Sequence, residues 1–220
     1  MEEKILCPVC INDSFYRLTK GDVKYNQCSC CKTLFTLPLN NEDKVGGEFE
    51  EERNIKDNDD RIGRVIKFST QLGIKENSLN VLDFGCGHGI LLNDFKNKGI
   101  KCDGYDAFNP LYSKLPPKNT YDFVTMIEVI EHTSSPFFEL DVIRRSLKEK
   151  GIVMIETSFI DVANEENIQL EEFHYISPEA GHSTIFSHHG LDFLMFTKGF
   201  IPCRHVNRHV RIYQKNNKWG

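Results

Sequence analysis

The stretch Asn80-Val81-Leu82-Asp83-Phe84-Gly85-Cys86-Gly87-His88-Gly89 decides how this chain folds. It reads as a short strand, Asn80–Phe84, carrying an acidic residue and running into alternating glycines. Glycines at 85, 87 and 89 let the backbone turn tightly and approach a ligand, because no Cβ intervenes. Ile90-Leu91-Leu92 with Phe95 opens an amphipathic helix behind the turn. A ligand would then lie at the helix N-terminus, beyond the carboxyl end of a central strand. A second predicted strand, Lys101–Tyr105, ends in Asp106, seventeen residues after Gly89. A carboxylate there can accept two hydrogen bonds from a ribose diol.

Two nucleotide-type ligands suit this pattern. The dinucleotide fingerprint is G-x-G-x-x-G with an acid about 20 residues further on. Here the third glycine comes one residue too early, and Asp83 precedes the first. The order D-x-G-x-G-x-G resembles motif I of the class I S-adenosylmethionine (SAM)-dependent methyltransferases. The resemblance implies that Asp83, Gly85, Cys86 and Gly87 surround the amino-acid part of SAM. It likewise implies that Asp106 holds the ribose; the family's adenine-reading acid has no match here, so backbone or the Ala107-Phe108 segment is expected to supply that contact. SAM has no pyrophosphate, so the helix dipole matters less than in a dinucleotide site. A ligand-free glycine turn is the bland alternative, but three glycines and two strand-end acids are a costly way to build one.

Composition bounds the remaining possibilities. A chain of 220 residues is long enough for one good core and a small appendage. Its 40% hydrophobic and 27% charged content are ordinary for a soluble globular protein. No apolar run approaches bilayer-spanning length, so no membrane partner is expected. Met1-Glu2-Glu3-Lys4-Ile5 lacks the basic start and apolar run of a signal peptide, which predicts a cytoplasmic protein. A formal charge of −5 argues against nucleic-acid binding by bulk electrostatics. Arg204, Arg208, Arg211, Lys215 and Lys218 form a basic tail, read as a solvated edge or as a rim for an anionic substrate.

Five of the 8 cysteines fall within the first 31 residues. Cys7-Pro8-Val9-Cys10 and Cys28-Ser29-Cys30-Cys31 make C-x2-C, a 17-residue spacer, then C-x2-C. That spacing fits a tetrahedral zinc site of four thiolates, assigned to Cys7, Cys10, Cys28 and Cys31 with Cys30 as rival for the last place. Phe15–Leu18 and Val23–Gln27 read as short strands turned at Lys20-Gly21-Asp22. Residues 1–40 are too few for a core of their own, so a metal would supply folding energy. A redox pair would need an adjoining βαβ pattern that this segment lacks. Zinc ribbons precede the catalytic domain in several related methyltransferases, acting on ribosomal RNA or on sugars. This ribbon's near-balanced charge does not favour RNA.

The rest reads as one α/β domain, residues 61–220, entered through an acidic linker or lid, residues 41–60. Arg61–Leu72 suits a helix packed on the sheet. Only fourteen residues, Ala107–Thr120, separate Asp106 from the next strand, Tyr121–Met126, and three prolines interrupt them. A full class I domain places a helix, a strand and another helix here, so the sheet is expected to be trimmed near its third strand. Tyr121–His132 resembles the Y-D-x-V-x-x-x-E-V-I-E-H segment of small-molecule methyltransferases, including the ubiquinone O-methyltransferases. That implies Glu128 and Val129 at the cofactor. In the ubiquinone relatives the matching acids and histidine have been linked to a divalent metal. The other reading of Glu128, Glu131 and His132 is that the acids satisfy loop amides while His132 lines the pocket. Pro136–Leu147 reads as a helix, Ile152–Glu156 as a strand and Phe159–Thr184 as a substrate-capping loop. Ser187 caps a helix, His188–Lys198, that Gly199 stops. Phe200–Val206 and His209–Gln214 form a closing hairpin.

Methyl transfer from a sulfonium is an in-line displacement in which placement does most of the work. A base is needed for a hydroxyl or carbon acid, and His182, His132 and His174 are the candidates. The resulting expectation is a SAM-dependent enzyme acting on a small biosynthetic intermediate, such as a sugar or nucleotide-linked sugar, with oxygen as acceptor. The alternatives are an RNA or protein methyltransferase reading its target through the ribbon, and an inactive ribbon scaffold. Oligomeric state is left open.

Overall fold

The computed structural model describes residues 5–37, 54–216 and 218. The N-terminal part holds β1 (Ile5–Leu6), β2 (Asp13–Lys20), β3 (Val23–Cys28) and β4 (Leu34–Thr36). Then come α1 (Asn54–Gln71), β5 (Asn80–Phe84), α2 (Ile90–Asn97), β6 (Lys101–Tyr105) and β7 (Tyr121–Ile127). They are followed by α3 (Pro136–Ser146), β8 (Leu147–Glu156), α4 (Ile160–Glu165) and β9 (Thr184–Ile185). α5 (His188–Thr197), β10 (Phe200–His205) and β11 (Val210–Lys215) complete the order.

The larger sheet runs β10-β11-β8-β7-β5-β6. β6, β5, β7 and β8 are parallel, and β11 and β10 close the sheet as an antiparallel hairpin. β5 lies between β6 and β7, the next two strands in the chain, so the strand order reverses there, and its carboxyl end is the switch point where such sheets bind ligands. α1 lays Ile62, Val65 and Phe68, spaced three apart, against Val81, Phe123 and Ile212 on one face of that sheet. No helix or strand interrupts residues 107–120, so β6 is an edge and the sheet is short there, as the spacing predicts. The linker reading of residues 41–60 divides. Residues 41–53 lie outside the described residues, whereas α1 already starts at Asn54. The loop predicted over 159–184 also contains α4.

The smaller sheet, β1-β2-β3-β4-β9, draws its last strand from the chain beyond α4. Leu34 pairs with Ile185 and Phe35 with Thr184. Cys7, Tyr25, Leu34 and Phe35 then share one buried cluster with Leu140, Ile143, Leu191 and Leu194 of α3 and α5. The ribbon is therefore built into the main core, where the sequence pictured an appendage. The basic tail also divides: Arg211 is buried with its guanidinium 5.0 Å from the Phe159 ring, and Arg208 pairs with Glu166. Among the described residues no helix is long and apolar enough to cross a membrane.

Candidate active site and metal centre

The glycine loop is tied to the end of β6. Gly85 N and Cys86 N both donate to the Tyr105 carbonyl, at 2.7 and 3.1 Å. Gly87 N donates to Asp106 Oδ2 at 2.9 Å. Phe108 N and Asn109 N donate to Asp106 Oδ1 at 2.9 and 3.0 Å. Asp106 thus clasps the glycine loop to the turn after β6. A carboxylate has about four acceptor sites, so roughly one is left for a ligand hydroxyl, rather than two. Ala107 is exposed at the rim beside Phe108.

Gly85 is required by space as well as by conformation. Its φ is +79°, and a Cβ there would lie 2.2 Å from Val129 Cγ2. Val129, two residues beyond β7, therefore closes against the loop. The Cys86 thiol points the other way: a Cβ on Gly104 of β6 would lie 2.7 Å from its Sγ. Asp83 sits beneath the loop, 4% exposed, accepting from Thr125 Oγ1 at 2.9 Å. Burial pushes its carboxyl up to about 6 against the pull of Thr125 and Arg61. The structure thus places Asp83 and the Cys86 thiol behind the loop surface and leaves the backbone of 85–87 in front.

Beside the loop lies a buried proton network. Glu128 follows β7 with φ at +52°, a conformation that costs a residue with a Cβ about 1–2 kcal/mol. Its N–H donates to the Glu156 carbonyl at 2.9 Å, which holds the turn. Tyr175 Oη lies 3.0 Å from Glu128 Oε2 and 3.0 Å from Thr157 Oγ1, and also bonds Glu131 Oε1. Thr157 Oγ1 donates to Glu131 Oε2 at 3.1 Å. Burial, reinforced by the Glu131 charge, pushes the Glu128 carboxyl up to about 9. Burial raises Glu131 as well.

His182 is buried behind this network. Its Nδ1 lies 2.7 Å from the Tyr175 carbonyl, which fixes Nδ1–H as donor and leaves Nε2 as acceptor. Desolvation lowers its pKa, so the ring is neutral near pH 7. His132 stacks edge-on against it, ring centroids 4.8 Å apart. Glu131, His132 and His182 bring donor atoms within 4.8 Å of one another. Both Glu131 oxygens already accept hydroxyl hydrogens, which suits a hydrogen-bonded carboxyl group. His174 is not brought to this group. Phe173 and Tyr175 on either side turn inward, and His174 is exposed. Sequence reading gives Tyr175 and Thr157 no role, because an isolated hydroxyl carries no pattern. Arg61 escapes it as one cation on a helix surface, yet its guanidinium bonds Glu156 at 3.0 and 2.6 Å.

One measurement tests the Glu128 environment directly. Between its ordinary value of 4.5 and about 9, the folded protein keeps a proton on Glu128 that the unfolded chain has released. Stability must fall as pH rises through that window. Glu128→Gln stays neutral at every pH. Its melting temperature is expected to match the parent at pH 5 and exceed it by about 3–6 °C at pH 8.5, read by scanning calorimetry.

The four N-terminal cysteines form a second centre. Cys7 Sγ lies 3.7 Å from Cys31 Sγ, and Cys10 Sγ 3.3 Å from Cys28 Sγ. All four lie within 4.8 Å of one another, and none is in a disulfide. Tetrahedral thiolates bonded at about 2.3 Å to a metal stand about 3.8 Å apart. Backbone N–H groups of Val9, Cys30 and Cys31 and the Asn12 amide donate to these sulfurs at 3.3–3.4 Å, the outer bonding that thiolate ligands use. The donor set therefore fits a thiophilic metal. Cys30 is exposed and outside the cluster.

Residues 51–202 match the family model described as "Methyltransferase domain". The chain belongs to this family: it is a methyltransferase. Among solved structures, the methyltransferase is similar to the 1,6-didemethyltoxoflavin-N1-methyltransferase of Burkholderia thailandensis, with 1,6-didemethyltoxoflavin and S-adenosylhomocysteine bound. Identity is 14% over 92% of this chain and 99% of that one, with a TM-score of 0.50. It is also similar to the YcgJ protein of Bacillus subtilis, at 17% identity over 66% of this chain and 70% of that one, TM-score 0.50. At these identities the likeness is one of fold. No curated protein matches the methyltransferase.

Proposed function

We propose that this methyltransferase transfers a methyl group from SAM to the oxygen of a small biosynthetic intermediate, a sugar or nucleotide-linked sugar fitting best. The observation that carries this reading is the neutral His182, whose Nδ1–H is held by the Tyr175 carbonyl while Nε2 remains an acceptor. A hydroxyl nucleophile has a proton to lose, and a buried acceptor of this kind serves it. SAM supplies the methyl and an excellent leaving group. The backbone of residues 85–87, with Asp106 and Val129, would position it. His132 would line the same pocket. Cys7, Cys10, Cys28 and Cys31 would hold a structural zinc. The formal charge of −5 supports a small substrate over a nucleic acid.

Isothermal titration with SAM and S-adenosylhomocysteine tests the cofactor reading. We expect micromolar binding of both. Asp106→Ala removes the clasp and a charge-assisted bond to the ribose, each worth about 1.5–3 kcal/mol, so affinity should drop at least about 100-fold. No binding to intact, metal-loaded protein would sink the enzyme reading and favour a scaffold.

A further inference from the structure

Four contacts join Tyr175, Thr157, Glu128 and Glu131, and the two hydroxyl groups bring only two hydrogens. The phenol has one hydrogen to donate, yet it bonds both Glu128 Oε2, at 3.0 Å, and Glu131 Oε1. The hydrogen of Thr157 goes to Glu131 Oε2, at 3.1 Å. One phenol–carboxylate contact is therefore made by a hydrogen belonging to the carboxyl group itself. Glu131 is within reach of two hydroxyl donors, Tyr175 and Thr157, and Glu128 of one, so Glu131 is the better stabilised as an anion. The extra proton belongs on Glu128.

The surrounding charges leave that group unbalanced. Glu131 lies on the same loop, Glu156 at the end of β8, Tyr175 on the segment after α4, and Arg61 on α1. Arg61 spends its hydrogen bonds on Glu156 and Asn58, and Arg64 bonds Glu156 at 3.3 Å. Three carboxyl groups thus face a corner whose two arginines both bond one of them. Val129, next to Glu128, touches the glycine loop. A cation held by that loop would meet this corner.

We propose that Glu128 is protonated in the cofactor-free enzyme and gives up its proton when the positively charged sulfonium of SAM binds beside it. The site would thereby read the charge that separates the methyl donor from the spent thioether, and the freed carboxylate would receive the substrate's proton. This rests on the SAM reading above. In the transfer, the hydroxyl oxygen forms a bond to the methyl carbon, the carbon–sulfur bond breaks, and its electron pair stays on sulfur. The hydroxyl proton ends on Glu128, which in this inference takes the place of His182 as its acceptor. Sulfonium and carboxylate become thioether and neutral carboxyl, so the buried corner finishes with no net charge to expel.

The experiment needs no substrate. SAM and S-adenosylhomocysteine are titrated into the metal-loaded enzyme at pH 7.5, in phosphate and in Tris, whose ionisation heats differ. The sulfonium also acidifies SAM's own amino group, so the difference in protons released between the two ligands is measured in Glu128→Gln as well and subtracted to isolate the proton of Glu128. We expect nearly one proton more to be released with SAM than with S-adenosylhomocysteine. The affinity ratio should then shift toward SAM by up to about tenfold per pH unit between pH 7 and 8.5. Glu128→Gln should bind S-adenosylhomocysteine as before, lose the extra proton and flatten the pH dependence. Binding of both ligands with equal proton release, or an unchanged release in Glu128→Gln, would overturn this inference and leave the cofactor reading standing. Binding of neither would overturn both.

Discussion

Cys31→Ser is expected to lower the melting temperature by at least about 10 °C, and Cys30→Ser to leave it where it is. A four-thiolate zinc contributes about 10–16 kcal/mol of apparent folding energy to a small module. Losing even a third of this corresponds to about 10 °C in a chain of this size. The damage should not stop at the ribbon. The Cys31 carbonyl accepts from Ser187, whose hydroxyl also accepts from Gly190 N to cap α5. Tyr25 of β3 donates to the His182 carbonyl at 2.7 Å, and Lys20 donates to the Glu171 and Phe173 carbonyls at 2.8 and 3.2 Å. Metal analysis should find one zinc per parent chain and well under one in Cys31→Ser. Equal zinc content and equal melting in the two serine variants would refute a role for the cluster as a metal site.

Gly85→Ala should abolish measurable SAM binding. Two costs combine at this position. A positive φ of 79° penalises any Cβ by about 1–2 kcal/mol, and the new methyl would start 2.2 Å from Val129 Cγ2. Relieving that overlap moves either the glycine loop or the turn carrying Glu128, and both border the proposed cofactor site. Overpacking of this kind costs about 1–3 kcal/mol more. Adding Val129→Ala to the same chain should recover the steric part and leave the backbone part, so the double variant binds weakly. A double variant no better than Gly85→Ala would show that Val129 is not the obstacle. Calorimetric titration with S-adenosylhomocysteine reads all three.

The strands of the large sheet were legible because each has a local cause. Val81-Leu82 and Phe123-Val124 are apolar runs bounded by turn residues, and Ser187 and Gly199 mark the ends of α5 by capping. The trimmed edge after Asp106 could be counted from fourteen residues and three prolines. The four-cysteine cluster was legible from spacing alone, since two C-x2-C knuckles carry their geometry with them. The pairing of β4 with β9 was not, because two residues, Thr184-Ile185, inside an aperiodic loop have no signature; the partner strand supplies their order. The same holds for Tyr175. Its meeting with Glu128 and Glu131 depends on how a long loop folds back, which no local pattern encodes. His174 illustrates the converse: its residue type invited a chemical role, and the inward turn of its neighbours Phe173 and Tyr175 decided otherwise.

The shared sheet has a consequence for synthesis of the chain. As it leaves the ribosome, the segment through Cys31 can take up metal early, but β4 then presents an unpaired edge with Leu34 and Phe35 waiting for cover. That edge stays open until Thr184 and Ile185 emerge, after most of the large sheet has been made. An open, apolar strand edge is a template for pairing with other chains. The nascent protein should therefore be most vulnerable to aggregation, and most dependent on a chaperone, in the interval between translation of β4 and translation of β9.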